Sequence, residues 1–231
     1  MNPLIDGKKK CAIFGFCDIR NFTEVTELLQ EDIMLFVNKI GELVHSSVYR
    51  YGGSANKNIG EAFLLVWPLP NDSYELNNKT NEIVWKKKNY VSVMSDFSVY
   101  SFVKMIVKVY KDPAILEYKN DPRLVKGLGN NYQVSMGFGL HIGWAIEGAI
   151  GSEYKIDASY LSPNVNMASR LEAATRQYDV QLLVSEDLYE MLTPSLKQFF
   201  RNIDRVTVKG SAKPIRLYTI DINIAEIKPP K

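Results

Sequence analysis

Residues 12–23 constrain the fold of this chain more than any other stretch. An apolar run of strand length ends there on one carboxylate, Asp18, and a short polar turn and a helical pattern follow it. A carboxylate is a hard oxygen ligand, and the N–H groups of a first helical turn can bind an anion. The stretch therefore predicts either a site for a divalent cation with phosphate attached or an aspartate that only caps the next helix.

The spacing of apolar residues along the chain predicts the strands and helices. Strands are predicted at 11–17, 54–58, 62–67, 133–142, 144–150, 157–161, 180–184, 202–209 and 214–221. Helices are predicted at 22–51 with a break at 30–32, at about 96–111 with Phe97 and Phe102 inward, from 163 to about 176, and at 185–192. The rest of residues 68–130 is predicted to be irregular. This alternation favours an α+β fold with a mixed sheet, and we expect residues 1–231 to form one domain.

Composition excludes several classes of protein. The net charge of +2 is too small for a general nucleic-acid surface, which needs a basic excess on one face. No apolar run of about 18 residues is visible, so we expect no membrane contact by this segment, although it could be the cytosolic part of a larger membrane protein. Cys11 and Cys17 share one face of the first strand, roughly 20 Å apart, which is too far for a disulfide. Two unpaired thiols are typical of a reducing, cytoplasmic compartment.

A predicted hairpin supplies a second candidate carboxylate. Lys57 and Glu61 flank the turn at 58–60. They could form a cross-strand ion pair at the surface, which would contribute little stability. Alternatively, the two acids end strands that could be neighbours, which would place Glu61 near Asp18. Two carboxylates together with substrate phosphates commonly hold Mg²⁺, so this arrangement would be a site for Mg²⁺ or Mn²⁺.

Three further polar residues are candidates for contact with a phosphoryl group. Asn166 and Arg170 stand four residues apart on one predicted helix and therefore share a face. Such a pair can orient and neutralise a phosphoryl group, but the same pattern also suits an ordinary solvated helix face. Lys209, near the C-terminal end of the sequence, is the third candidate.

Taken together, five segments resemble the catalytic domain of class III adenylyl and guanylyl cyclases. They are residues 16–23, 57–63, 139–143, 164–171 and 208–210, which come in the family's order and span nearly the whole chain. Within the family, residues 55–57 and 160–163 are most similar to adenylyl cyclases of protists. The resemblance implies a ferredoxin-like, palm-type mixed sheet with helices packed on it. It also implies the conversion of ATP to 3′,5′-cyclic AMP and pyrophosphate by in-line attack of the ribose 3′-hydroxyl.

The resemblance assigns the metal and phosphate sites to the first two segments. Asp18 and Glu61, assisted by the Ile19 carbonyl, would bind two Mg²⁺ or Mn²⁺ ions in each active site. The turn that contains Phe22 and Thr23 would hold the substrate phosphates with backbone N–H groups.

The resemblance assigns recognition of the base and transition-state contacts to later segments. Lys57 and Ser159 would read the adenine edge of ATP. Asn166 would orient the ribose, and Arg170 and Lys209 would neutralise charge on the phosphates. The family works as a head-to-tail dimer whose two subunits supply different parts of each site. Because this chain carries both sets of residues, the resemblance implies a homodimer with two equivalent sites.

Two departures from the family pattern leave other functions open. Glu61 stands where Asp is usual, which supports a catalytically silent domain that binds nucleotide or serves as a dimerisation partner. Ser159 stands where Asp or Thr is usual, and a hydroxyl that both donates and accepts discriminates less sharply between bases. A guanylyl cyclase is disfavoured by Lys57, because guanylyl cyclases typically have an acid at that position. A metal-binding α+β module unrelated to cyclases would require the ordered matches to arise by chance.

Overall fold

A mixed β-sheet forms the centre of the protein in the computed structural model, which describes residues 5–77, 79–152, 154–207 and 214–226. The strands are β1 Lys8–Ile19, β2 Ser54–Ile59, β3 Ala62–Pro68, β4 Tyr74–Leu76, β5 Ile83–Trp85, β6 Met136–Ser152, β7 Lys155–Leu161, β8 Leu182–Ser185, β9 Phe200–Val206 and β10 Ile215–Ile220. The helices are α1 Phe22–Leu29, α2 Ile33–Arg50, α3 Lys88–Lys111, α4 Pro113–Leu116, α5 Pro122–Leu128, α6 Pro163–Ala174, α7 Glu186–Met191 and α8 Pro194–Lys197. Three 3₁₀ turns lie at Gln30–Asp32, Asn71–Ser73 and Glu117–Asn120.

The strand order of the main sheet is β2-β3-β1-β6-β8-β10-β9, and β7 pairs with the far half of β6. β1 runs antiparallel to both β3 and β6, whereas β6 and β8 are parallel, which confirms the predicted α+β fold with a mixed sheet. β4 and β5 form a separate two-stranded hairpin.

The two faces of the sheet are covered by different helices. On one face, α2 and α3 bury Phe36, Ile40 and Phe102 against Ile13 of β1 in the largest apolar cluster. On the other face, α6 packs on β1 and β6. The approach of α6 is close enough that a Cβ added at Gly139 would stand 2.2 Å from the Ala168 carbonyl oxygen. A glycine is therefore required where the two backbones meet.

The region predicted to be irregular is more ordered than expected. The hairpin β4–β5 occupies part of it, and α3 begins at Lys88 rather than near residue 96. Phe97 was predicted to face inward, but it is 39% exposed, while Phe102 is fully buried as predicted. α4 and α5 each begin at a proline. The preceding Asp112 and Asp121 accept hydrogen bonds from the backbone N–H groups of the first turns.

The predicted break near Gly143 is wrong. β6 continues as one strand from Met136 to Ser152 because β1 pairs with its first half without interruption, including the pair Ala12 with Gly143. The predicted break in the first helix is confirmed by the 3₁₀ turn Gln30–Asp32 between α1 and α2.

One helix of the described residues, α3, is long and apolar enough to cross a membrane by length and composition alone. Its most apolar window has a mean hydropathy of 1.2, and 61% of that window is buried inside the fold. Its burial in the core of the domain already accounts for its apolar character.

Candidate functional site

Asp18 lies at the end of β1, where the two predicted carboxylates come together. It pairs with Ala62 at the start of β3, which brings Glu61, in the hairpin turn, beside it. The Oδ1 atom of Asp18 is buried and has no hydrogen-bond partner. The Oδ2 atom accepts a hydrogen bond from Arg176 Nη2 at 3.0 Å. A buried carboxylate oxygen without a partner is costly unless a ligand completes its contacts.

The charge around Asp18 fits a cation. Burial raises the pKa of Asp18, and the negative charge of Glu61 raises it further, while Arg176 and Arg20 oppose the shift. No ion pair joins Lys57 to Glu61 among the described residues, so the predicted surface pair is absent. Within the residues that the structure describes, no group of three or more His, Cys, Asp or Glu side chains could hold a metal ion without other ligands. Two carboxylates with substrate phosphates therefore remain the donor set that Mg²⁺ or Mn²⁺ would use.

The turn after Asp18 leads directly into α1 and is the candidate site for an anion. Asn21 has a φ of 55°, in the left-handed region, and no side chain caps the first turn of α1. The N–H groups of that turn consequently remain available for an anion. A cavity of about 850 Å³ lies there, and its lining includes Ile19, Phe22, Thr23, Glu61 and Arg176.

A buried ion pair joins the end of β1 to the last turn of α6. Arg20 Nη1 lies 3.0 Å from Glu172 Oε1, and the two side chains are only 15% and 5% exposed. Arg20 also donates a hydrogen bond to Thr175 Oγ1. Burial raises the pKa of Glu172, with Arg20 opposing, and burial lowers the pKa of Arg20. Neither Glu172 nor Arg176 was predicted from the sequence, because their partners, Arg20 and Asp18, lie far away along the chain.

The two residues expected to read adenine lie on strands that are in contact. Lys57 is on β2 and Ser159 is on β7, and Asn56 Nδ2 donates to the Ala158 carbonyl at 3.3 Å between these strands. Ser159 is buried and lines a second cavity, of about 410 Å³, together with Asn56. The structure therefore brings the strands of Lys57 and Ser159 together.

The remaining predicted residues lie on α6. Its first turn is capped by Ser162, which accepts hydrogen bonds from two backbone N–H groups, and Pro163 occupies the first position. Asn166 is exposed, and Arg170 borders a third cavity, of about 320 Å³. Neither residue lines the cavity at Asp18. Lys209 lies outside the described residues.

The candidate residues thus fall into two groups within one chain. Ile19, Phe22, Thr23 and Glu61 line one cavity, and Asp18, which pairs with Ala62 next to Glu61, lies beside it. The described members of the other group, none of which lines that cavity, are Lys57, Ser159, Asn166 and Arg170.

Comparison with known proteins identifies the class. Residues 6–221 match the family model of the adenylate and guanylate cyclase catalytic domain. The chain belongs to this family.

Individual relatives agree with this assignment. An adenylate cyclase of Anabaena cylindrica is 25% identical over 207 residues, covering 89% of this chain and 36% of the relative. The terminal-differentiation specific adenylate cyclase of Dictyostelium discoideum is 27% identical over 216 residues, covering 92% of this chain and 9% of the relative. The chain thus spans only a minor part of the curated relatives it matches. Among solved structures, a bacterial light-regulated adenylyl cyclase superposes with a TM-score of 0.70 at 23% identity, covering 97% of this chain and 55% of that one.

Proposed function

We propose that this chain is an adenylyl cyclase catalytic domain that converts ATP to 3′,5′-cyclic AMP and pyrophosphate. One observation carries the proposal: the unpaired, buried oxygen of Asp18 lies beside Glu61 and the uncapped first turn of α1. Two neighbouring carboxylates for a cation, beside helix N–H groups for an anion, suit a metal–nucleoside triphosphate complex.

In the proposed reaction, the ribose O3′ attacks the α-phosphorus. The O3′–P bond forms, the bond from that phosphorus to pyrophosphate breaks, and the O3′ proton passes to solvent. Bound by Asp18, Glu61 and the Ile19 carbonyl, two Mg²⁺ or Mn²⁺ ions would supply activation of the hydroxyl and charge neutralisation. The protein's own groups orient the substrate: the first turn of α1 binds the phosphates, Asn166 orients the ribose, and Arg170 neutralises charge on the phosphates.

We propose that the active site forms between two copies of the chain arranged head to tail. Support comes from the cavity beside Asp18, whose lining includes Ile19 and Glu61 but neither Asn166 nor Arg170. The far half of the β6–β7 hairpin also exposes apolar side chains that a second copy could cover, among them Ile150 and Ile156. One dimer would then contain two equivalent sites.

Adenine is the proposed base because Lys57 offers only hydrogen-bond donors. The adenine ring edge carries acceptor nitrogens, whereas guanine presents donors that an acidic residue would suit better. A guanylyl cyclase is the alternative within the family, and a silent nucleotide-binding or dimerisation domain is the alternative raised by Glu61. We further propose a cytoplasmic location, with no nucleic acid partner and no membrane contact by this segment.

The test is cyclic-nucleotide production by the purified chain with Mn²⁺, comparing ATP with GTP over a range of protein concentrations. We expect cyclic AMP from ATP, with a specific activity that rises as dimers form. Product from GTP alone would overturn the choice of adenine. No product from either nucleotide in a folded dimer would favour the silent domain.

Complementation tests the shared site directly. Asp18→Asn and Asn166→Ala variants should each lose about 100-fold in activity as homodimers and keep a small, measurable residual rate. In an equimolar mixture, about half of the dimers are mixed, and each has one intact site of two, so about a quarter of the wild-type activity should return. A mixture that keeps only this residual rate while forming mixed dimers would contradict the head-to-tail arrangement.

A further inference from the structure

The side chain of Asn164 is held against the central sheet by two hydrogen bonds. Its Nδ2 atom donates to the Trp144 carbonyl at 2.7 Å, and its Oδ1 atom lies 3.1 Å from His141 Nε2. A carbonyl oxygen can only accept, so the amide end of Asn164 must face Trp144. The Oδ1 atom therefore accepts from His141, which fixes the protonated ring nitrogen as Nε2.

For a neutral His141 ring, the directions of the hydrogen bonds beyond it are also fixed. With Nε2 protonated, Nδ1 of the neutral ring must accept, so Ser185 Oγ donates to it at 2.7 Å. Ser185 Oγ in turn accepts from the Leu188 backbone N–H at 3.3 Å. His141 is only 3% exposed, and its burial lowers its pKa, which favours the neutral ring that this chain of bonds requires. The bonds thus connect β8, β6 and the start of α6.

Two further observations show that the space between β6 and α6 is specific for the side chain of Asn164. A Cβ at Gly143 would lie 2.4 Å from Asn164 Cγ, so a glycine in the long strand leaves the space that the amide fills. The amide is also not needed for capping, because Ser162 Oγ already accepts from the backbone N–H groups of Asn164 and Val165, both at 3.1 Å. The side chain of Asn164 therefore fixes where α6 begins relative to β6.

We propose that Asn164, held by His141, is a positioning residue that sets the place of Asn166 for the reaction. Asn166 lies two residues further along the first turns of α6 and is exposed on the surface of the chain. A shift or rotation of this turn moves Asn166 directly, and displacement of a substrate-orienting group by about 1 Å can cost about 100-fold in rate. This inference rests on the proposed cyclase function and on the role of Asn166 in it.

The experiment is a double-mutant cycle on cyclic AMP production by the full chain. We expect Asn164→Ala to lower kcat by about 10- to 100-fold, with the KM for ATP changed by less than about threefold. Asn164→Ala added to Asn166→Ala should cause no further loss, because the first residue acts through the second. His141→Ala should behave like Asn164→Ala, and His141→Gln, which can place an N–H near Nε2, should recover part of the rate.

A matched control variant distinguishes the positioning role of Asn164 from a general loss of stability. Asp112→Ala removes the N-cap of α4, away from α6, and should lower the melting temperature without lowering kcat. The proposal is overturned if Asn164→Ala keeps its kcat, if its loss matches that of Asp112→Ala, or if the losses at Asn164 and Asn166 multiply.

Hydrogen exchange tests whether Asn164 and His141 hold the first turns of α6 in place, and this measurement does not require activity. Amide protection of residues 165–167 should fall in Asn164→Ala and His141→Ala but not in Asp112→Ala, and unchanged protection would overturn the proposal. If wild type makes cyclic AMP and Asn164→Ala is equally active, this inference is overturned and the proposed function stands. If wild type makes no cyclic nucleotide, the proposed function is overturned instead.

Discussion

Arg176 makes an ion pair with Asp18, with Arg176 Nη2 3.0 Å from Asp18 Oδ2. A cationic side chain of the same chain thus neutralises one oxygen of the carboxylate whose other oxygen is buried without a hydrogen-bond partner. Arg176 comes shortly after α6 and lines the cavity that also contains the first turn of α1. A metal ion at Asp18 would share that carboxylate with Arg176 or displace it.

Arg176→Ala should therefore strengthen Mn²⁺ binding by the nucleotide-free chain. Removal of a nearby positive charge lowers the repulsion on the ion, and we expect a several-fold lower Kd by titration calorimetry at low salt. Arg176→Lys keeps the charge and should bind Mn²⁺ like wild type. The Arg176 side chain is 59% exposed, so the free energy of unfolding should change by less than about 1 kcal/mol. Equal Mn²⁺ affinity in all three proteins would contradict this expectation.

Asp18→Asn should separate stability from activity. The substitution removes a half-buried negative charge that burial and Glu61 disfavour, so the variant should unfold no earlier than wild type in urea. It also removes the hard anionic oxygen needed for a divalent cation, and cyclic AMP production should fall by at least about 100-fold. Glu61→Asp, which keeps the charge, serves as the control and should retain measurable activity. An Asp18→Asn variant with normal activity would exclude Asp18 as a metal ligand.

Glu172→Ala should destabilise the fold strongly. It leaves the Arg20 guanidinium buried and without its carboxylate, and breaking a buried pair in this way costs about 3–5 kcal/mol. Urea denaturation gives the change in the free energy of unfolding. Replacing both partners with apolar residues, as in Arg20→Met with Glu172→Leu, should cost less than Glu172→Ala alone. The reverse order would show that the pair itself contributes net stability.

His141 should make the fold less stable at mildly acidic pH. Burial lowers its pKa below the ordinary value of 6.5, although Asp187 and the hydrogen bond with Asn164 oppose the shift. The unfolded chain then binds a proton near pH 6.5 more readily than the folded chain does. Stability present above pH 6.5 is consequently lost as the pH falls below it. The free energy of unfolding measured from pH 8 to 5.5 should show this slope in wild type and less of it in His141→Gln.

Both cysteines should be unreactive in the folded protein. Burial raises the pKa of Cys11 to about 12, and burial also raises the pKa of Cys17. Because the thiolate is the reactive form, a disulfide reagent at pH 8 should label neither thiol in buffer and both in urea. Rapid labelling of one thiol in buffer would show that β1 opens locally.

The elements around Asp18 were predictable because their signals are local. A buried strand that ends on an acid, a polar turn and a helical period all lie within residues 12–29, and the hairpin that carries Glu61 has its own short pattern. The two strands of the hairpin were therefore predicted close to their observed bounds, whereas β1 was placed correctly but extends beyond the predicted 11–17 to Lys8–Ile19. The functional roles of these residues remain predictions that the experiments above address.

The start of α3 could not be predicted because its buried face is partly polar. Ser95, Ser98 and Asp96 are buried, although such residues usually indicate a solvent-facing position. Asp96 is tolerated there because Thr193, nearly a hundred residues later, donates to it from both its backbone and its hydroxyl group. The sequence cannot show a partner that only the tertiary fold brings close.

The same limit explains the error at Gly143 and the missed ion pair at Arg20. A glycine inside an apolar run resembles a turn, but here it makes room for Asn164. Arg20 lies in residues 16–23, which resemble the cyclase family, but its partner Glu172 lies on a helix that is distant in the sequence. Close approach across the sheet, rather than local preference, fixes both positions.

α6 is attached to the sheet at both of its ends. Asn164 fastens the first turn to β6, and Glu172 with Thr175 fastens the last turn to Arg20. A helix tied in this way cannot swing or slide on the sheet without breaking buried hydrogen bonds or an ion pair. We therefore expect α6, β1 and β6 to move together as one rigid body. In the proposed dimer, any opening that admits substrate would then leave α6 fixed on the sheet that carries Asp18.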